Sequence, residues 1–410
     1  MTDEPRHDDF RHDEEIQTTR IVAGQKATSQ KPTAQKPSGQ KQSAAHRISP
    51  RNWAIGGIAA VVLIALGAFG ITAAATASSQ QEAAAGASAT DDLKELKLGY
   101  FGNVTHAVPV VGVQQGIYQK TLGATSLKTQ IFNAGPAAVE ALNAGAIDAA
   151  YLGPNPAINS FVKSKGQSIA IVAGSASGGA QLVVKPGINS AADLKGKVLA
   201  TPQLGGTQDV ALRNWLAGQG LRVQTNGGND VTINPTDNAQ TLKLFQDGKL
   251  DGAWLPEPWA SRLVLQAGGK VLVDEKDLWS QGQFSTTILI VNKTFLAAHP
   301  HAVTALLTAQ LDTQAWLQQH PGQAVAAVND GLKQAAGAAL PEDVVSRALS
   351  NLSFTADPLA STYPALLANG VKAGVTQDAD IKGIFDLRLL NEVLRQRSQP
   401  TVSAGDLGQS

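Results

Sequence analysis

The sequence predicts an α/β protein, and three observations carry the prediction. From residue 93 onward, short apolar runs ending near glycine alternate with amphipathic stretches. The chain holds 40 glycines and 19 prolines against only 16% charged residues, a composition suited to many tight strand-to-helix turns. One helix-strand-helix segment also recurs at an offset of 103 residues.

In order along the chain, residues 96–101, 127–132, 147–152 and 169–173 read as strands, with helices over 107–118, 136–144 and 156–165 between them. Such alternation implies a mostly parallel sheet, because parallel neighbours need a crossover connection. The pattern continues with a strand over 198–201, a helix over 207–217, a short strand near Val231, a helix over 237–246, a strand over 251–255 and a helix over 257–267. A strand over 286–291 follows, and the remainder to Gln396 is largely helical. The repeat aligns 142–157 with 245–260 and pairs Gly145 with Gly248, Asp148 with Asp251, Leu152 with Leu255 and Tyr151 with Trp254. Each copy reads as a helix stopped by glycine, a buried strand and a proline-containing loop, which implies two similar lobes.

The 33 basic and 33 acidic residues balance, and no basic cluster interrupts the ordered part, so the chain lacks the footprint of a nucleic-acid-binding protein. The absence of cysteine excludes disulfides, thiolate metal sites, thiol nucleophiles and the lipidated cysteine of a bacterial lipoprotein. Residues 1–52 are polar, contain a five-residue Gln-Lys repeat, and read as a disordered arm. Residues 53–77 carry no charge and suffice to cross a bilayer as one helix. The seven Lys or Arg and no acid over 16–52 place the arm in the cytoplasm and the folded part outside, extracellular or periplasmic, making a single-pass cell-membrane protein. A signal peptide cut near Ala77 is the alternative, disfavoured by the length of the leader. Residues 78–92, rich in small side chains, read as a tether.

Ligands of open α/β sheets bind beyond the carboxyl ends of the strands, where helix N-termini offer unpaired N–H groups. Four loops occupy that position: the one holding Asn103 and His106, the Gly-Pro-Asn-Pro loop of Asn155, the Gly205-Gly206-Thr207-Gln208 loop, and the Trp254-Leu255-Pro256-Glu257-Pro258-Trp259 loop. The third lacks the Walker lysine and, taken alone, better suits a plain capped helix with Thr207 as the cap and Asp209 facing the dipole. In the fourth, Trp254 and Glu257 suit a binding role for an amine or an oxyanion, while Trp259 suits core packing. Catalysis finds little support. His106 alone has a loop setting fit for a general base, it has no identifiable nucleophile or acid beside it, and the Gly174-Ser175-Ala176-Ser177-Gly178 stretch has alanine where a nucleophile elbow needs serine.

Six stretches together resemble the aliphatic sulfonate, taurine and nitrate branch of periplasmic substrate-binding proteins for ABC importers: LGYFGNVTHAVPVVGVQQGIY (98–118), FNAGPAAVEALNAGAIDAAYLGPNPAINSFVKS (132–164), GSASGGAQLVV (174–184), DLKGKVLATPQLGGTQDVALRNWL (193–216), DGAWLPEPWASRL (251–263) and TTILIVNKTFLAAHP (286–300). The resemblance implies a two-lobed periplasmic-binding-protein-like fold of type II, with lobe I over 93–186 and 285–410 and lobe II over 187–284. It places Asn103, His106, Asn155, Ser177, Gly178, Gly206, Thr207, Gln208, Trp254, Glu257 and Thr287 at the cleft. It further implies a monomer without cofactor or metal that captures a small oxyanion, such as an aliphatic sulfonate or a taurine-like solute, and delivers it to an ABC permease and its ATPase. Nitrate or bicarbonate binding, a sensory role, and a non-thiol enzyme on the same scaffold are the alternatives. The arm and span depart from the family, whose members are commonly released or lipidated.

Overall fold

A computed structural model describes residues 93–223 and 229–410. The chain divides into two units, 1–77 and 78–410, and every described residue belongs to the second. The expected arm, span and tether over 1–52, 53–77 and 78–92 lie outside the described residues. Among the described residues, no helix is long and apolar enough to cross a membrane.

The first half runs β1 (Glu95–Phe101), α1 (Ala107–Gln114), α2 (Ile117–Leu122), β2 (Ser126–Phe132), α3 (Gly135–Asn143), β3 (Ala149–Leu152), α4 (Pro154–Lys163), β4 (Ile169–Gly178) and β5 (Ala180–Val184). Next come β6 (Val198–Thr201), α5 (Thr207–Gly218), β7 (Thr232–Pro235), α6 (Asn238–Gln246), β8 (Gly252–Pro256), α7 (Trp259–Ala267), β9 (Lys270–Asp274) and β10 (Ser285–Asn292). The C-terminal part holds α8 (Lys293–Ala298), α9 (Pro300–Gln319), α10 (Pro321–Ala336), α11 (Glu342–Ser350), β11 (Leu352–Phe354), α12 (Tyr363–Lys372), β12 (Phe385–Asp386), α13 (Arg388–Gln396) and β13 (Gly408–Gln409). The expected helix over 107–118 is two helices, because Gly116 adopts φ 73° and turns the chain between them.

These strands form two sheets. One has the order β13-β12-β4-β10-β3-β1-β2 with β11 beside β4, and the other the order β7-β6-β8-β5-β9. Both are mixed rather than mostly parallel. The antiparallel neighbours arise chiefly from β5 and β10, which follow the two passages of the chain between sheets and so run against their partners. The first passage is at Gly178-Gly179, two consecutive residues with φ of 84° and 73°. Strand β5 pairs with β8 and β9, so the second sheet begins at Ala180 rather than at the expected boundary near 187.

Packing follows the side-chain periods. Strands β4 and β10 are central, and every residue of β4 is buried, which explains the unbroken apolar runs 169–173 and 288–291 within them. The second sheet has a core on each face. Leu182, Val184, Leu199 and Trp254 point to one side, and Val183, Ala200, Ala253 and Leu255 to the other, as the two-residue period of a strand requires.

The internal repeat is structural. Gly145 and Gly248 end α3 and α6 at φ of 71° and 76°. The following Asp148 and Asp251 carboxylates accept the backbone N–H of Lys97 (2.8 Å) and Val198 (2.9 Å), each on the neighbouring parallel strand. The same aspartate thus fixes the strand register in both sheets.

Candidate functional site

A tight cavity of about 30 Å³ lies where the carboxyl ends of β1, β2, β3, β6, β7 and β8 face one another. Six loops contribute, two more than the sequence suggested. The additional ones carry Asn133, Ala134 and Gly135 after β2, and Asn238 after β7. Both lie at strand ends, so the strand-end rule applied to every strand, including the weak one near Val231, was the signal that would have found them.

Of the eleven residues expected at the cleft, Asn103, His106, Gly206, Thr207, Gln208 and Thr287 line this cavity. The helices α1, α3, α4, α5 and α6 all begin around it, and none has a side-chain cap. In particular, Thr207 is not a cap: Gly206 occupies that position, and the buried Thr207 Oγ1 has no partner. Nor does Asp209, in the first turn of α5, face the cavity. It accepts from Thr201 Oγ1, the Gly205 N–H and Arg213 Nε, each at 3.0 Å, and so shapes the loop ahead of the helix while its charge is neutralised internally.

His106 is buried, and its Nδ1 lies 3.2 Å from Thr105 Oγ1. Burial pushes the imidazole pKa down to about 3, only partly offset by the Tyr151 carbonyl, so the ring is neutral at physiological pH. If the Thr105 hydroxyl donates to Nδ1, the proton sits on the buried Nε2, which makes no hydrogen bond of good geometry. Thr287 Oγ1 donates to the Thr105 carbonyl (3.0 Å) and holds this loop against β10. The lining contains no Lys, Arg, Asp or Glu.

Five expected residues do other work. Asn155 turns its Nδ2 to the Leu366 carbonyl of α12 (3.1 Å). Ser177 Oγ accepts the Phe284 N–H (3.2 Å), and the Gly178 carbonyl accepts Thr286 Oγ1 (2.6 Å), so both brace the passages between sheets. Trp254 is fully buried in the second sheet's core, packs against Trp215, and donates Nε1 to Glu275 Oε2 (2.8 Å). It faces away from the cavity because its neighbours Ala253 and Leu255 occupy the other face of β8.

Glu257 is fully buried too, and its carboxylate is saturated. It accepts from Arg347 (3.1 Å), Asn351 Nδ2 (2.7 Å) and the Ser261 N–H (3.0 Å), and Arg347 also reaches Gln181 Oε1 (2.9 Å). Burial holds this carboxyl above its ordinary pKa despite those hydrogen bonds. Trp259 packs half-buried against the second sheet's core, as expected, and also bridges the lobes by donating Nε1 to Asn103 Oδ1 (2.9 Å), with the Arg262 guanidinium 4.6 Å from its ring. The Thr105 N–H reaches the Glu257 carbonyl (3.3 Å), so loops from both sheets touch across the cavity.

Two sheets crossed twice by the chain, with a neutral, dipole-lined cavity between their strand ends, define the class of two-lobed solute-binding proteins. The chain belongs to the NMT1-like family, whose model matches residues 89–329. Among similar proteins, the taurine-binding periplasmic protein of Escherichia coli is 27% identical over 228 residues, covering 52% of this chain and 67% of that protein. The fold is shared with the alkanesulfonate-binding protein SsuA of Xanthomonas axonopodis pv. citri (TM-score 0.59, 22% identity, 70% of this chain and 95% of that one), solved bound to MOPS. It is also shared with the periplasmic nitrate-binding protein NrtA of Synechocystis PCC 6803 (TM-score 0.60, 18% identity, 70% and 83%). All three are named for binding a solute and none for catalysis.

Proposed function

We propose that the protein captures a small oxyanion, most simply an alkyl sulfonate, between its two lobes and delivers it to an ABC permease. The carrying observation is the convergence of uncapped helix N-termini on a cavity without formal charge, with the buried, neutral His106 in its lining and the Thr207 Oγ1 buried and unpartnered beside it. Such dipoles stabilise an anion without the desolvation cost of a buried cation. The relatives named for taurine, alkanesulfonate and nitrate support this choice of ligand class. A taurine-specific amine contact at Glu257 is not part of the proposal, because that carboxylate is already filled by Arg347, Asn351 and Ser261.

Calorimetry with methanesulfonate, nitrate and bicarbonate on the full-length protein tests the ligand class. Thr207→Ala should weaken binding by about 1–2 kcal/mol if the hydroxyl meets a charged oxygen. Gly153→Val should weaken it more. A Cβ at Gly153 would stand 2.3 Å from Thr207 Oγ1, while the backbone there (φ −79°, ψ 160°) accepts any residue, so the change wedges the lobes apart without straining the loop. Binding of all three anions unchanged in both variants would place the ligand elsewhere.

The proposal extends to anchoring through residues 53–77, on the basic bias that precedes them. Protease added to cells with an opened envelope should remove the folded part and leave a small membrane-bound fragment. A soluble mature protein beginning near Ser78 would refute retention of the span.

A further inference from the structure

Asn103 and Trp259 meet where the central cavity gives way to a wider groove of about 410 Å³. Asn103, Asn133 and Asn238 line both spaces, whereas Trp259 lines the groove alone. Each partner of the hydrogen bond is held by its own lobe. Trp259 opens α7, rests half-buried on the second sheet's core, and carries the Arg262 guanidinium over its ring; Arg262 Nε in turn donates to Gln266 Oε1 (2.9 Å). Asn103 follows β1, is 5% exposed, and its carbonyl accepts the His106 N–H (3.0 Å). The Glu257–Arg347 pair also joins the lobes, but it sits at the pivot, where a Cβ on Gly179 would stand 3.5 Å from Glu257 Cγ. The Trp259–Asn103 bond lies at the cavity wall instead, so opening the lobes breaks it while the pivot pair persists.

We propose that Trp259 is a positioning residue for ligand capture: its indole N–H clasps the closed lobes and orients the Asn103 amide toward the bound anion. The second of these roles rests on the oxyanion reading of the cavity, and the first stands without it. An indole N–H only donates, so the amide oxygen of Asn103 must face it and Nδ2 turns the other way. With its oxygen taken, the amide offers an anion N–H groups and no lone pair, in keeping with the helix N-termini around the same cavity. The bond forms only when the lobes meet, so it stabilises the closed state alone, and a ligand that leaves the lobes apart gains nothing from it.

Trp259→Phe keeps an aromatic ring and removes the N–H. In the full-length protein it should weaken methanesulfonate and nitrate binding about three- to tenfold by calorimetry, the usual effect of losing one hydrogen bond. The loss should appear in the dissociation rate, since the bond forms after encounter. In an Asn103→Ala background the same change should cost less than about twofold, because the acceptor is already gone. An equal loss in both backgrounds would show a merely structural role and overturn the proposal. Lobe separation gives a second readout. The chain has no cysteine, so spin labels on Glu140→Cys and Leu204→Cys, two exposed positions facing each other across the lobes, report one distance. Trp259→Phe should shift that distance toward longer values along a methanesulfonate titration starting from none, and a distribution unchanged at every concentration would overturn the clasp. Failure of both anions to bind the parent would overturn the oxyanion reading and the orienting role of Trp259 with it, and the distances would then decide the clasp alone.

Discussion

Replacing Arg347 with leucine should destabilise the protein by about 3–5 kcal/mol at neutral pH, the usual cost of leaving one partner of a buried ion pair alone. Glu257 is fully buried, and Arg347 is the cation beside it. The same guanidinium ties α11 to Ser261 (2.8 Å) and to Gln181 of β5 (2.9 Å), so the loss reaches three elements at once. The deficit should shrink as pH falls. Without Arg347 the folded-state pKa of Glu257 rises further above its unfolded value, and a raised carboxyl costs stability only where the unfolded chain has released its proton. Adding Glu257→Gln should recover much of the loss, because a neutral amide tolerates the site better than an unpaired carboxylate. Denaturant unfolding of the two single variants and the double variant at pH 5 and pH 8 measures this. A loss below about 1 kcal/mol at pH 8 would mean that the pair behaves like a solvated surface bridge.

Glu275→Gln should change the pH profile of stability rather than simply offset it. Glu275 lies in the second passage between sheets, after β9, and is buried with the Trp254 indole donating to its carboxylate. Burial pushes its pKa up to about 7, only partly countered by hydrogen bonds from Trp254 and Trp279. The folded protein therefore keeps this proton up to about pH 7, while the unfolded chain loses it near 4.5, the ordinary value for a glutamate. The contribution of Glu275 is fully favourable below pH 4.5 and is lost as pH rises to 7, by roughly 3 kcal/mol in total at about 1.36 kcal/mol per pH unit. Glutamine keeps the shape and cannot ionise, so the variant should gain stability relative to the parent between pH 5 and pH 8. His106 acts in the opposite sense, because its folded pKa of about 3 costs stability as pH falls below its unfolded value of 6.5. The parent's own curve therefore blends both groups, and only the difference between parent and variant isolates Glu275. A constant offset at all pH values would show that the carboxyl titrates normally.

The Trp254-to-Trp259 loop marks where the sequence stops being readable. Its composition announced an unusual site, and the site adjoins it, yet Trp254, expected at the ligand, lies in the core, and Trp259 adds a hydrogen bond to Asn103 to its expected core packing. Period two puts Trp254 and Leu255 on opposite faces of β8 but does not say which face meets the helices holding Glu275 and Trp215. Glu257 is similar. Nothing near it in the sequence discloses that Arg347 and Asn351, about ninety residues on in the chain, will close around it. By contrast, Asn103, His106 and the Gly206-Thr207-Gln208 turn were legible, because each sits at the end of a strand with strong apolar character and ahead of a helix.

The sequence by itself determined the alternation of strands and helices, the repeated unit with its capping glycine, and the strand ends at which a ligand meets helix N-termini. These are local: apolar period, turn chemistry and dipole direction all act within a dozen residues. Only the tertiary structure decided that β5 belongs to the second sheet, that Glu257 is filled by Arg347, that Trp259 joins Asn103 across the cleft, and that a more hydrophobic groove adjoins the cavity at three asparagines. Those outcomes depend on which surfaces meet when the lobes pack, and burial and partner choice between segments a hundred residues apart leave no trace in the local pattern that each segment follows.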